Sequence, residues 1–512
     1  MRAPSYAFVE CTTSSANTAF DNSAKHVFDT DHGSVVFADD ISDDITWNKT
    51  AGTFTFRDDG IYHIVANLIT ETASGTRKHT FTFNLNSDSA IYTAAATVPA
   101  AMDPIGHTHQ RIISVSAGDV LHIKGVADAN TFALNAGSSL VINRVTSDVY
   151  ASSTVSTAGS NSTTDEFNPL DTDGDGPAFA STHKVANGIT FTGNAGSMTV
   201  PSAGRYLIMV TNFHAATSTT NSNITIKLKE GTNVLVTGAT RNNNATDPEE
   251  TTIFTIEDLD ADEVLTTTWD IGSGVCHADL GTTFTVYKLN DDIKARKSAL
   301  DFSNFISVVS KAQSDATGAA VNKFDEDSYS SADFDTRMAS GIAFASSTGR
   351  FTVDISGTYW VFYNPIITVA GDAVITMKIL VNDTAVITAV PKIDSYNDPQ
   401  NRSLTGVFVL SAGDYVTATV DSNSPNIQQD AGSSMVIIRM ADWLNKESTA
   451  AQLIGDDFVT NTFAEDVMDV QHQSFVDQLP FILGTRGPIS LRRRSVSADH
   501  KAPIVSSGGK KN

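Results

Sequence analysis

Phe54-Thr-Phe-Arg-Asp-Asp-Gly60-Ile-Tyr62 returns as Met198-Thr-Val-Pro-Ser-Ala-Gly204-Arg-Tyr206 and again as Phe351-Thr-Val-Asp-Ile-Ser-Gly357-Thr-Tyr359. An aromatic residue stands seven positions before each block, at Trp47, Phe191 and Phe344. Further along, Ala117-Gly-Asp119 recurs as Ala412-Gly-Asp414, with Ala261-Asp-Glu263 in the middle copy. A closing stretch follows: Gly137-Ser-Ser-Leu-Val-Ile-Asn-Arg144, Gly281-Thr-Thr-Phe-Thr-Val-Tyr-Lys288 and Gly432-Ser-Ser-Met-Val-Ile-Ile-Arg439. From the first glycine landmark to the last is 77, 77 and 75 residues (60 to 137, 204 to 281, 357 to 432). The repeat period is 144 and then 153 residues (60 to 204, 204 to 357). That is domain-sized, far longer than a solenoid repeat, so each copy should carry its own core.

Within a copy the pattern is that of strands. Phe54-Thr-Phe56 and Phe81-Thr-Phe83 alternate apolar and polar residues, one face in and one face out. Ile61-Tyr-His-Ile-Val-Ala and Tyr359-Trp-Val-Phe-Tyr are almost unbroken apolar runs, as in strands covered on both faces. Gly-Asp at 118–119 and 413–414 reads as a tight turn. Many short strands between Gly, Asp and Asn turns predict an all-β sandwich. The predicted units are sandwich domains at 1–148, 149–292 and 293–445, followed by a C-terminal helix and basic arm at 446–512.

Phe-x-Val-x-x-x-Gly-x-Tyr, a Gly-Asp turn, and Gly-Ser-Ser-hydrophobic ending in Arg together resemble the C1q/tumour-necrosis-factor-like jelly roll. With an early Phe-Asp, as at Phe20-Asp21 and Phe28-Asp29, the copies look like versions found in bacteriophage structural proteins. The resemblance covers roughly residues 5–145, 165–290 and 300–441. The middle copy departs from it, with Asp-Glu for Gly-Asp and Lys288 for Arg. The resemblance implies three tandem antiparallel β-sandwich domains of two-sheet jelly-roll form, packed in threes around an axis. It implies recognition, adhesion or assembly and no catalytic activity. Fold alone does not fix function.

The chain of 512 residues carries a formal charge of −24, so its bulk surface should repel nucleic acid and anionic membrane. The charge is uneven. Gly484 to Asn512 holds seven basic residues against Asp499 alone, a net +6, which leaves −30 on the rest. Two cysteines, Cys11 and Cys276, fall in different copies and make no disulfide framework. The first residues lack an apolar signal core, and no run approaches the roughly 18 apolar residues of a membrane span. The expectation is a protein made in a host cytoplasm and located in a virion.

Three copies in one chain leave two arrangements open. They pack side by side as a single-chain pseudo-trimer, or they stack as tiers of a homotrimer. Asp171, Asp173 and Asp175, with Gly176, match the start of a calcium loop, but Thr182 stands where the bidentate Glu belongs. Calcium is therefore the one cofactor suggested, against a plain surface loop. His107 and His109 share a face if extended, and three such pairs on a true threefold axis could hold a transition metal; the alternative is an exposed polar loop. Phe191, Tyr206, Tyr359 and Trp360 lie on predicted core strands and read as packing residues, not a sugar platform.

No Gly-x-Ser-x-Gly, His-Glu-x-x-His or Walker A pattern occurs, and Cys276-His277 lacks an orienting partner, so the expectation is no enzyme. Thr462-Phe-Ala-Glu465 is a capping box, and Phe463, Val467 and Val470 then follow at helical spacing ahead of Phe481. Those four, with Arg492, Arg493 and Arg494, form the candidate partner anchor. The function read from all this is a virion structural protein: a capsid decoration, vertex or fibre-like component binding capsid or other virion proteins. The rivals are a receptor- or glycan-binding adhesin at the host surface and, least favoured, a polysaccharide depolymerase.

Overall fold

The computed structural model of the chain describes residues 5–440 apart from connecting segments, of which the longest are 156–165, 172–183 and 290–303. The chain divides into two compact units, Met1–Ala441 and Asp442–Asn512. The C-terminal helix, the anchor residues Phe463, Val467, Val470 and Phe481, and the triplet Arg492, Arg493, Arg494 all lie outside the described residues.

The first two copies each fold as two antiparallel sheets, and in the third a small four-stranded sheet (Ser314–Thr317, Asn426–Gln429, Ile366–Val369, Gln400–Asn401) accompanies the two. The central strands of the first inner sheet are β1 (Tyr6–Thr13), β2 (Gly60–Thr72), β3 (Ile105–Val115) and β4 (Ser139–Val145). The second copy supplies β5 (Tyr150–Thr154), β6 (Gly204–Ala216), β7 (Glu249–Leu259) and β8 (Thr283–Lys288). The third supplies β9 (Phe305–Ser310), β10 (Gly357–Asn364), β11 (Leu404–Leu410) and β12 (Ser434–Met440). The order is the same each time: β3-β2-β4-β1, β7-β6-β8-β5 and β11-β10-β12-β9. First and last strands of a copy are neighbours, and the intervening strands cross between two sheets, which defines a jelly roll. The second copy begins earlier than the resemblance suggested, because Tyr150–Thr154 pairs with β8.

The outer sheets match strand for strand. Thr53–Phe56, Ser197–Thr199 and Arg350–Val353 each pair with the strand that follows the Gly-Asp or Asp-Glu turn. Phe54 and Phe56, and likewise Phe351 and Val353, point inward from the alternation, while the threonines between them are half-exposed. The long strands β2, β6 and β10 bury both faces. On β2, Tyr62, Ile64, Ala66 and Leu68 enter the copy's own sandwich, while Val65 and Ile69 join a second apolar cluster. That explains the continuous apolar runs.

The spaced landmarks are parts of one device. The Tyr62, Tyr206 and Tyr359 hydroxyls donate to the carbonyls four residues upstream, of Asp58, Ser202 and Ile355. Arg144, Lys288 and Arg439 reach from the closing strand to the carbonyls of Asp59, Ala203 and Ser356 at 2.7, 2.7 and 2.8 Å. Their stems cross the glycines; a Cβ on Gly204 or Gly357 would collide with Lys288 or Arg439. So the glycine, the tyrosine and the closing cation recur together because each covers the same turn.

The Gly-Asp turn works similarly. Asp119 accepts from the Ser116 N–H and the Asn86 amide at 2.7 and 2.6 Å, and Asp414 accepts from Ser411 and Asn382 at 2.7 Å each. In the middle copy Glu263 accepts from the Asp260 N–H, and Asp262 takes the left-handed conformation (φ 65°) that Gly118 and Gly413 hold elsewhere. Aspartate tolerates that conformation better than most residues, so the departure from Gly-Asp keeps the turn.

Candidate functional site at the junction of the three copies

The inner sheets face one another. Strand β3 lies against β5 and β8 of the second copy, β7 against β9 and β12 of the third, and β11 against β1 and β4 of the first. Each copy thus lays one sheet edge on its neighbour's sheet, and the third contact returns to the first copy. One apolar cluster runs through all three, with Val65 and Ile112 from the first, Leu207 and Met209 from the second, and Trp360 and Phe362 from the third. Phe254 on β7 packs on Trp360 and Phe362 at ring distances of 5.3 and 4.7 Å. Covering edges and apolar faces this way removes the exposed strand edge that a lone sandwich would present.

The repeat register makes the junction readable. Asn67, Thr211 and Asn364 each lie seven residues after the landmark glycine. Thr108, Thr252 and Ser403 each lie seven before the residue paired with it, Val115, Leu259 and Leu410. Asn67 donates to the Ser403 carbonyl, and Asn364 to the Thr252 carbonyl, both at 2.7 Å. The third equivalent, Thr211, bonds Thr252 within its own copy instead. Between the first two copies Gln110 takes over: its amide donates to the Met209 and Thr283 carbonyls at 3.3 and 3.1 Å, and Thr285 donates to its oxygen at 2.6 Å.

The last landmark glycines also belong here. Gly137, Gly281 and Gly432 hold positive φ (87°, 96° and 93°). A Cβ on each would strike the next copy: Ala389 for Gly137, Ala94 for Gly281, and the Thr237 backbone for Gly432. Two constraints, backbone and close approach, fall on one residue.

Buried titratable groups are concentrated near these contacts. His63 on β2 is fully buried; its ring meets Tyr287 of the second copy and Trp360 of the third edge-on at 5.6 and 5.8 Å. Burial lowers its basicity to about 4. Glu250, also buried, accepts from the Thr108 N–H of the first copy at 3.3 Å and from the Thr252 hydroxyl. Burial raises its pKa to about 7, against smaller opposing influences from Thr252, Thr108 and Arg402.

The reading of His107 and His109 as an exposed polar loop is overturned. His107 and His109 lie inside β3 and are at most 1% exposed. The loop reading fails because the neighbouring copy covers this edge: His109 stacks on Phe213 of the second copy at 5.3 Å. Burial holds His109 down at about 3. Of the calcium candidates only Asp171 is described, with its N–H on the Asn168 carbonyl; Asp173 and Asp175 lie outside the described residues. Among the described residues no group of three His, Cys, Asp or Glu side chains is placed to hold a metal ion.

Cys11 and Cys276 are buried and not disulfide-bonded, and burial pushes the Cys11 thiol up to about 12. Cys276 lies against the His277 carbonyl oxygen rather than its ring. Tyr206, Tyr359 and Trp360 are core residues, while Phe191 is half-buried at the margin of the second core. No described helix is long and apolar enough to cross a membrane. The functional residues that sequence reading missed are His63, Asn67, Gln110, Glu250 and Asn364. Their one signal was polarity at positions of an otherwise apolar strand register.

The described residues therefore define a class: three jelly rolls of one chain closed on one another in a cycle. Solved structures similar to this chain include the Eiger TNF from S. frugiperda, 12% identical with a TM-score of 0.20, covering 27% of this chain and 94% of its own. Murine APRIL is 9% identical at a TM-score of 0.20, covering 28% of this chain and 98% of its own. The jelly-roll assignment rests on the strand order and not on these likenesses. No family model matches the chain, and no curated protein does.

Proposed function

We propose that this chain is a virion structural protein of a bacteriophage, a capsid decoration, vertex or fibre-like component, with the units 1–148, 149–292 and 293–445 forming a knob and 446–512 attaching it. The observation that carries the reading is the cyclic junction. Each copy's inner-sheet edge is consumed by the next copy, so the chain completes its own threefold-like assembly. A closed body of three sandwiches with a basic C-terminal sequence, Arg492, Arg493 and Arg494, suits attachment to an acidic surface.

The test is co-sedimentation with purified particles of the virus that encodes the chain. Full-length protein should bind, and a chain ending at Ala441 should fold but not bind. If the shortened chain still decorates particles, the anchor is wrong. If neither binds particles but the shortened chain binds host cells or glycans saturably, the adhesin reading replaces this one.

A further inference from the structure

The His63 ring, in the first copy, meets rings of both the second and the third. Its Nε2 lies 3.2 Å from Gln110 Oε1. The Gln110 amide group faces two carbonyls, so its oxygen is the atom presented to His63, and Nε2 must carry the proton. The other nitrogen, Nδ1, is buried and has no hydrogen-bond partner among the described residues. The groups facing the ring are Gln110 from β3, Asn143 across the β4 register, the Tyr287 phenol from β8 and Trp360 from β10. None is charged at neutral pH; burial pushes the Tyr287 phenol well above its ordinary value.

We propose that His63 is an acid-operated key to the ring: protonation at Nδ1 separates the first copy's inner sheet from the second and third copies while each sandwich stays folded. A proton on Nδ1 would create a buried cation with a donor aimed at apolar surfaces, whose cheapest relief is opening the junction to water. The equivalent positions elsewhere are Leu207 and Trp360, which cannot titrate, so the response is confined to the contacts of the first copy. Opening restores the ordinary value of 6.5 from about 4. The closed-to-open ratio should therefore fall about 300-fold as pH drops from above 7 to below 4.

The experiment is small-angle scattering of the full chain from pH 7 to pH 4 with far-UV circular dichroism, alongside NMR titration of carbon-13-labelled histidines. The variants are His63→Leu, which copies the second repeat, and His63→Gln, which keeps a neutral donor toward Gln110. His214→Gln, at a buried histidine beside Trp269 in the second copy, is the control. The expected result is expansion with strand content retained, shifted at least one pH unit toward acid by either His63 variant and not by the control. An unshifted midpoint in a folded His63 variant overturns the proposal. So does wild type that stays compact until strand content is lost. If neither variant folds, the wild-type titration decides: His63 titrating near 6.5 in the compact form overturns the proposal, and titration well below it supports it.

Discussion

The Asn67 side chain donates to the Ser403 carbonyl oxygen at 2.7 Å, joining residues 336 positions apart, and Asn364 repeats the bond on Thr252 at the same distance. The two bonds occupy equivalent repeat positions and run in the same sense around the junction, from one copy's inner sheet to its neighbour's edge strand. The third position is filled by Thr211, too short to make the bond. There the first and second copies are joined through Gln110 and the Glu250 carboxyl instead.

Replacing Asn67 or Asn364 with alanine leaves a buried edge-strand carbonyl without that donor. Each change should cost about 1–3 kcal/mol. Urea unfolding of the single variants and the double variant checks this, and an effect under 0.5 kcal/mol from both (roughly the noise of a surface change) would remove these bonds from the account of ring stability.

Gly281→Ala should destabilise more than Gly118→Ala. Both residues hold positive φ, 96° and 89°, so both replacements carry a left-handed strain of about 1–2 kcal/mol. Only at Gly281 does the added methyl meet the neighbouring copy, at Ala94; nothing lies within 4 Å of it at Gly118. Thermal unfolding of the pair separates backbone strain from the inter-copy contact. Equal losses would show that the close approach at Gly281 carries no energy.

Glu250 makes stability fall toward alkaline pH. Its carboxyl titrates at 4.5 when unfolded and at about 7 in the ring. A raised folded value means the stabilisation is complete below 4.5 and is lost as pH rises through 7. The shift corresponds to about 3 kcal/mol. Glu250→Gln should gain on wild type by most of that amount between pH 4.5 and pH 8 in urea unfolding. A difference independent of pH would mean that Glu250 is ionised in the ring at pH 5.

The chain should sediment as a compact single chain near 54.4 kDa. All three inner edges are already covered within it. A stable species of three chains would mean that the cycle is made between molecules rather than within one.

The sandwich cores were legible in the sequence because their signals are local. Tyr62, Gly60 and Arg144 sit at fixed spacings since they close one turn, and Phe54-Thr-Phe56 alternates since one face is wet. The junction was not legible. His107-Thr-His-Gln-Arg111 has the composition of an exposed loop, yet the second copy covers it and Gln110 satisfies two of that copy's carbonyls. Burial by partners 99 and 173 residues away leaves no period in the strand they cover. Likewise His63 interrupts an apolar run by one residue, which reads as tolerance until Tyr287 and Trp360 are seen on either side of it.

The equivalent positions His63, Leu207 and Trp360 differ because one gene writes all three copies separately. In a ring of identical subunits every substitution is made three times over, and a change tolerable once is imposed on every interface. Here a mutation alters the contacts of one copy and is not repeated in the other two. The three outward faces can therefore drift apart, each selected for its own contact, while the shape stays that of a threefold object.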